Sequence, residues 1–258
     1  MMPFLNSNVI GESNKHLIIL HGFLGMGDNW KSVGKKISEL GVCVHLIDQR
    51  NHGKSFWDNK FNYKVLASDL EKYLINNKIY NPIIIGHSMG GKVAMKYALD
   101  GNNKIYKLII VDISPKKYVF NYEIILKALD SLDFIKIKNR IQVENHLINF
   151  IDNYGIVQFL MKNLYWKSPG KLALKLNIEV LKNCRNELIS EINSNNIFLN
   201  ETIFLKGQNS NHIDENDSKR ILKLFPNSKI ITVPDSGHWL HVDNPDFVIN
   251  IISDFILK

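Results

Sequence analysis

Six short apolar blocks rich in β-branched residues recur along the chain: HLIIL (16–20), VCVHLI (42–47), PIIIG (82–86), KLIIVDI (107–113), TIFLKG (202–207) and SKIITV (228–233). Unbroken apolar runs of this length fit strands buried on both faces. Amphipathic helical patterns lie between most of them. Examples are NWKSVGKKISEL ahead of 42–47 and YKVLASDLEKYLINN ahead of 82–86, where Val65, Leu66, Asp69, Leu70, Tyr73 and Leu74 carry a mostly apolar stripe. Alternating strands and helices predict an α/β class with a mostly parallel central sheet flanked by helices. A chain of 258 residues, 45% of them hydrophobic, can fill one large core of this kind.

The alternation breaks between about Lys116 and Asn200. There the pattern reads as wholly helical through YEIILKALDSL, NRIQVENHLINFI, IVQFLMKNLYW and KLALKLNIEVLKN, and strand character resumes with TIFLKG. The expected organisation is an α/β core over 1–115 and 201–258, with an inserted helical cap over 116–200 above the strand ends. A separate helical domain is the alternative.

One strand-to-helix corner carries chemistry. Ile83-Ile84-Ile85 reads as strand and Lys92–Leu99 as helix, and between them Gly86-His87-Ser88-Met89-Gly90 fits G-x-S-x-G. Small residues two before and two after Ser88 let strand and helix approach while the serine holds a strained backbone. Its Oγ is then exposed above the sheet. The backbone N–H of Met89, at the helix start, faces an oxygen bonded there, as an anionic tetrahedral intermediate requires.

A serine needs a base, an orienting acid and oxyanion donors. His21-Gly22-Phe23 ends the first block, and its loop offers the backbone N–H of Phe23 as a second donor beside Met89, with His21 structural. In IITVPDSGHWLHVDNPDFV, His238 follows the last strand block and precedes the final helix, which makes it the candidate base. His16, His45 and His146 fall within strand or helix patterns, His52 and His212 in loops without another catalytic signal, and His87 faces along the turn. His241, nearer the final helix, is the competitor and is read as a packing residue.

Net charge is +7 and the pI about 9.2. The lysines are scattered, with no basic helix, aromatic-interleaved RNA-binding motif or zinc-finger spacing, so no nucleic-acid partner is expected. Cys43 and Cys184 cannot make a disulfide framework and lie in no ligand spacing, so they read as core residues. No pair of histidines has metal-ligand spacing with a carboxylate, which argues against a metallohydrolase; neither metal nor cofactor is expected. MMPFLNSNVIGESNK lacks a basic region followed by a long apolar stretch, and no apolar run reaches bilayer length. The expectation is a cytoplasmic protein without stable membrane insertion, of unassigned oligomeric state.

Together LHGFLGMGDNW, DQRNHGKS, GHSMGGKVAM, LIIVDISP and SGHWLHVDNPDFV resemble the α/β-hydrolase fold, most closely the YbfF-type esterases, over nearly the full length and least in the cap. The resemblance implies a cofactor-free serine esterase acting on a small-molecule substrate, an acyl ester or acyl-CoA thioester. It carries Ser88 as nucleophile, His238 as base and the backbone of Phe23 and Met89 as oxyanion donors. Asp48, Arg50, Gly53 and Ser55 match a family loop read as scaffold. Within the fold, the alternatives are a methyl-ester hydrolase on a carrier-bound acyl group or a carbon–carbon bond hydrolase. A catalytically silent binding module is the rival of another class.

The chain departs from the family at the acid. Many α/β-hydrolases place it in a G-x-x-D turn, which here reads Gly207-Gln208-Asn209-Ser210. Asp112, closing the apolar run LIIV, is the favoured replacement, because parallel strands bring its end to the edge that holds Ser88. Asp214 is the alternative. Phe159, Leu160, Leu164, Tyr165 and Trp166 are expected to line an apolar acyl pocket in the cap.

Overall fold

A computed structural model describes residues 4–100, 104–119 and 122–258. Among them the strands β1 (Ser7–Ile10), β2 (His16–Leu20), β3 (Cys43–Ile47), β4 (Ile83–His87), β5 (Lys107–Val111), β8 (Thr202–Gly207) and β9 (Ser228–Val233) form one sheet. Its order is β1-β3-β2-β4-β5-β8-β9. Only β1, which the apolar blocks did not reveal, pairs antiparallel, against β3. The other neighbours run parallel, so their C-terminal ends share one edge.

Period-2 alternation divides the strand side chains between two cores. Ile18, Leu20, Ile84, Leu108, Ile110 and Phe204 pack with Leu66, Leu70 and Leu74 of α2 (Tyr63–Asn76), Val93 and Ala94 of α3 (Met89–Leu99) and Ile221 of α9 (Asp217–Leu224). Leu17, Ile19, Ile85, Ile109, Val111 and Leu205 pack with Val33 and Ile37 of α1 (Lys31–Ser38) and Val248, Ile252 and Ile256 of the final helix, Pro245–Leu257. Helices thus cover both faces. No described helix is long and apolar enough to cross a membrane.

Between β5 and β8 the chain forms α4 (Glu123–Asp130), α5 (Arg140–Ile148), α6 (Tyr154–Met161), a hairpin of β6 (Leu164–Ser168) and β7 (Lys171–Leu174), α7 (Ile178–Leu181) and α8 (Arg185–Ile189). The hairpin corrects the wholly helical expectation. Pro169 cannot continue a helix, and Gly170 takes a φ of 72°, so the chain reverses and Leu172 and Leu174 turn inward. Leu126, Leu129, Val143, Leu147, Val157 and Leu160 join the apolar cluster of the α2/α3 face, so the insert shares that core.

Lys92, 1% exposed in α3, holds both ends of the insert. Its Nζ donates to the Lys116 carbonyl at 2.8 Å and to that of Ser190. The rings of Tyr63 and Tyr118 lie 5.7 and 4.7 Å from the ammonium. Burial lowers the lysine's pKa to about 7.

Candidate active site

Ser88 sits between β4 and α3 with φ 53° and ψ −117°, a conformation that L-residues hold only when neighbours impose it. Its N–H donates to the Val111 carbonyl at 3.0 Å, and its carbonyl accepts from Lys92 N at 3.1 Å. A Cβ on Gly86 would overlap the Gly90 carbonyl, and one on Gly90 would overlap that of Leu20. The glycines are therefore what let the corner close. Met89 is the first residue of α3, among the N–H groups that have no acceptor within their own helix.

Asp112, fully buried with φ 49°, directly follows β5 (Lys107–Val111). Its Oδ2 accepts from His238 Nδ1 at 2.8 Å and from the hydroxyl of Ser210, and its Oδ1 accepts from Gly207 N at 3.0 Å. Ser210 and Gly207, in the turn where the family commonly keeps its acid, thus donate to the Asp112 carboxylate. Burial pushes the Asp112 carboxyl up, and the bonds from Ser210 and Gly207 oppose that shift. Burial lowers the His238 imidazole to about 4, leaving it neutral and able to accept a proton at neutral pH. Its backbone is fixed by His87, whose Nε2 donates to the His238 carbonyl at 2.9 Å. Asp214 lies elsewhere: it is half exposed and paired with Lys116 at 2.6 Å.

Ser88, His238, Phe23 and His21 line one cleft of about 60 Å³, walled by Tyr122, Phe159 and Trp239. Of the five residues expected in an acyl pocket, Phe159 alone lines it. Leu160 and Leu164 are buried in the core, and Tyr165 and Trp166 stand exposed on the hairpin. His21 donates from Nδ1 to the Gly22 carbonyl at 2.8 Å and accepts Gln49 N–H on Nε2 at 3.0 Å, which fixes the loop carrying Phe23. His241 is buried and stacks on Trp30, 4.0 Å between ring centroids. Asp48 accepts from Gly27 N at 2.8 Å and Lys54 N at 2.9 Å. Gly53 lies so close to that carboxylate that a Cβ would overlap it. Ser55 donates to the Asp48 carbonyl, and Arg50 forks onto Asp69, so these four residues shape a loop rather than the cleft.

The sequence pattern of the α/β hydrolase fold family matches residues 15–134. The sn-1-specific diacylglycerol lipase ABHD11 of Danio rerio is 34% identical over 245 residues, spanning 92% of this chain and 77% of that protein. The chain belongs to the α/β-hydrolase family. Esterase YbfF of Escherichia coli is 27% identical over 248 residues, covering 95% of this chain and 94% of its own. A solved structure titled as a marine microorganism esterase superposes with a TM-score of 0.93 at 36% identity, covering 98% of this chain and 100% of that one.

Sequence reasoning passed over one residue of this α/β-hydrolase site. His212 stacks on His238 with centroids 3.7 Å apart and planes 12° apart, and its Nδ1 lies 3.5 Å from Asp112 Oδ2. The signal available was position: His212 stands two residues after Ser210 in the turn where the family acid is expected. Burial lowers its imidazole to about 3, so it is neutral beside His238. Asp112, His212 and His238 bring three ligand atoms within 4.8 Å, yet the two rings lie face to face, so their in-plane lone pairs run parallel rather than converging on a cation.

Proposed function

We propose that the chain is a serine carboxylic ester hydrolase working through an acyl-enzyme, with Ser88 as nucleophile, His238 as base and Asp112 as acid. The observation that carries this reading is the 2.8 Å contact of His238 Nδ1 with buried Asp112, in the cleft that Ser88 lines from its strained corner. His238 takes the Ser88 proton on Nε2 as Oγ attacks an acyl carbonyl. Asp112 accepts from Nδ1–H, which holds the tautomer and stabilises the imidazolium. The N–H groups of Phe23 and Met89 receive the oxyanion. The imidazolium then protonates the leaving alcohol or thiol, and water enters by the same steps in reverse order. The helices α4 to α8 and the hairpin act as the cap in this reading, with residues 116–200 as its extent and 1–115 and 201–258 as the core. Relatives named diacylglycerol lipase and esterase support ester substrates. Two free cysteines, both buried, are consistent with a cytoplasmic setting.

Tyr122, Phe159 and Trp239 around a cleft of only about 60 Å³ favour a short acyl chain. Each methylene reaching that wall contributes up to about 0.8 kcal/mol, roughly fourfold in kcat/KM. Ester and acyl-CoA thioester series of graded length are expected to show kcat/KM rising over the first few carbons and then falling. A fluorophosphonate is expected to label the protein once, at Ser88, and Ser88→Ala to lose label and turnover together. Retained turnover in that variant, or a label elsewhere, refutes the mechanism, and a profile flat with chain length refutes the acyl pocket.

A further inference from the structure

A second constellation lies at the other end of the sheet. β2 and β3 run parallel with His16 opposite Cys43 and Ile18 opposite His45. Residues two apart on a strand share a face, so His16, Cys43 and His45 project together toward the side covered by α2, where Ile18 and Ile47 pack with Leu70 and Tyr73. His16 Nδ1 is 2.9 Å from His45 Nε2, and Cys43 Sγ is 3.4 Å from the same nitrogen. All three potential ligand atoms lie within 4.8 Å of one another. No spacing along the sequence announces the cluster, because its members come from two strands.

The next layer of contacts orients the ligands. Tyr73 gives its hydroxyl proton to Ser7 Oγ at 2.7 Å, so its oxygen accepts from His45 Nδ1–H at 2.8 Å. That bond puts the lone pair of His45 on Nε2, facing both His16 and Cys43. A hydrogen-bond partner on the second ring nitrogen is the usual support of a metal-ligating histidine. The His16 and His45 planes are inclined by 50°, unlike the stacked pair beside Asp112, so the two nitrogens meet edge to edge rather than lying in parallel rings. Tetrahedral zinc bonded to nitrogen and thiolate sets its ligand atoms about 3.4 to 3.6 Å apart. The 2.9 and 3.4 Å contacts of His45 Nε2 lie within about half an ångström of that separation, and rotation of the half-buried His16 ring brings its Nδ1 to the third position.

We propose that His16, Cys43 and His45 bind a thiophilic divalent cation, Zn²⁺ or Co²⁺ in its place, with the fourth position filled by water. On binding, Cys43 releases its thiol proton to solvent. The His16 proton resides on Nε2, leaving Nδ1 to the metal, and His45 keeps Nδ1–H on Tyr73. The ion pins the starts of β2 and β3 together, about 15 Å along the strands from the edge that holds Ser88, so it takes no part in ester cleavage.

The test is Co²⁺ titration of the chelator-treated full chain. One equivalent is expected to bind, with tetrahedral visible bands and a sulfur-to-cobalt charge-transfer band in the near ultraviolet. Cys43→Ser is expected to abolish the charge-transfer band and leave ester hydrolysis unchanged. Tyr73→Phe is expected to weaken binding about 10- to 100-fold. His212→Ala is expected to leave the spectrum intact, which separates this site from the cluster around Asp112. Should Cys43→Ser fail to fold, His16→Ala at the half-buried strand start carries the same test through lost binding. A parent protein showing no such bands at millimolar Co²⁺, or a charge-transfer band that survives loss of Cys43, overturns the proposal.

Discussion

At the residue scale, the proposed mechanism makes Asp112 the acid that decides how His238 works, and its position separates this chain from the common pattern of its family. Asp112 holds His238 Nδ1 at 2.8 Å while also accepting from Ser210 and Gly207, so its charge is both buried and fully engaged. Neutralising such an acid misplaces the imidazole tautomer, an effect of up to about 10⁴-fold in a serine protease. Asp112→Asn is expected to lose at least about 10²-fold in kcat with the fold retained, and Asp214→Asn to stay within about threefold. Steady-state kinetics with circular dichroism checks both, and the reverse ranking overturns the assignment. In the proposed mechanism His212, stacked on His238, is a positioning residue that acts through it. His212→Ala is expected to lower kcat about tenfold at constant KM, and His212→Phe, which keeps a ring against the imidazole, to recover most of it. Equal losses in the two variants, or a change in KM alone, would argue against that role. That Ser88, His238 and Asp112 come together was legible because motif, chain order and strand ends each restrict position. His212 was not, because a stack between two loop residues leaves no periodic or spaced trace.

At the scale of elements, the corner between β4 and α3 depends on absent side chains. Gly90→Ala places a methyl group against the Leu20 carbonyl, in backbone that the sheet holds fixed. The expected cost is about 3 kcal/mol, on the order of 10 °C in melting temperature, with activity lost even in molecules that remain folded. Unchanged melting and turnover by calorimetry and ester assay would show that the corner can relax. The core strands β2 to β5, β8 and β9 were legible from their apolar runs. β1 was not, because an edge strand of four residues, SNVI, has only two apolar residues and no buried one. The hairpin β6–β7 was misread because LYW and KLALKL carry apolar residues that serve either period, and the deciding signal was the local Ser168-Pro169-Gly170 turn.

At the scale of the whole molecule, the interior holds an unusual load of neutral imidazoles. Burial, the leading cause in each case, keeps His21, His45 and His238 near 4 and His52, His87 and His212 near 3, puts His241 well below its ordinary value, and lowers half-buried His16. In the unfolded chain these groups titrate near about 6.5. Between that pH and about 4 the unfolded state therefore binds protons that the native state refuses, and stability falls as pH falls. Asp112 runs the other way: its raised pKa lets the native state keep a proton that the unfolded state has released, but it is one group against eight. Lys92, lowered to about 7, extends the same direction upward, since from there to about 10.5 the unfolded chain alone carries the charge and stability rises with pH. One imidazole held near 4 accounts for about 2 kcal/mol between pH 7 and pH 5. Urea unfolding followed by fluorescence is expected to show a midpoint that drops by at least that equivalent from pH 7 to pH 5 and is higher at pH 8.5 than at pH 7. A midpoint equal or higher at pH 5 would mean that these histidines are protonated in the folded state, and the neutral, proton-accepting form assigned to His238 would fall with the rest.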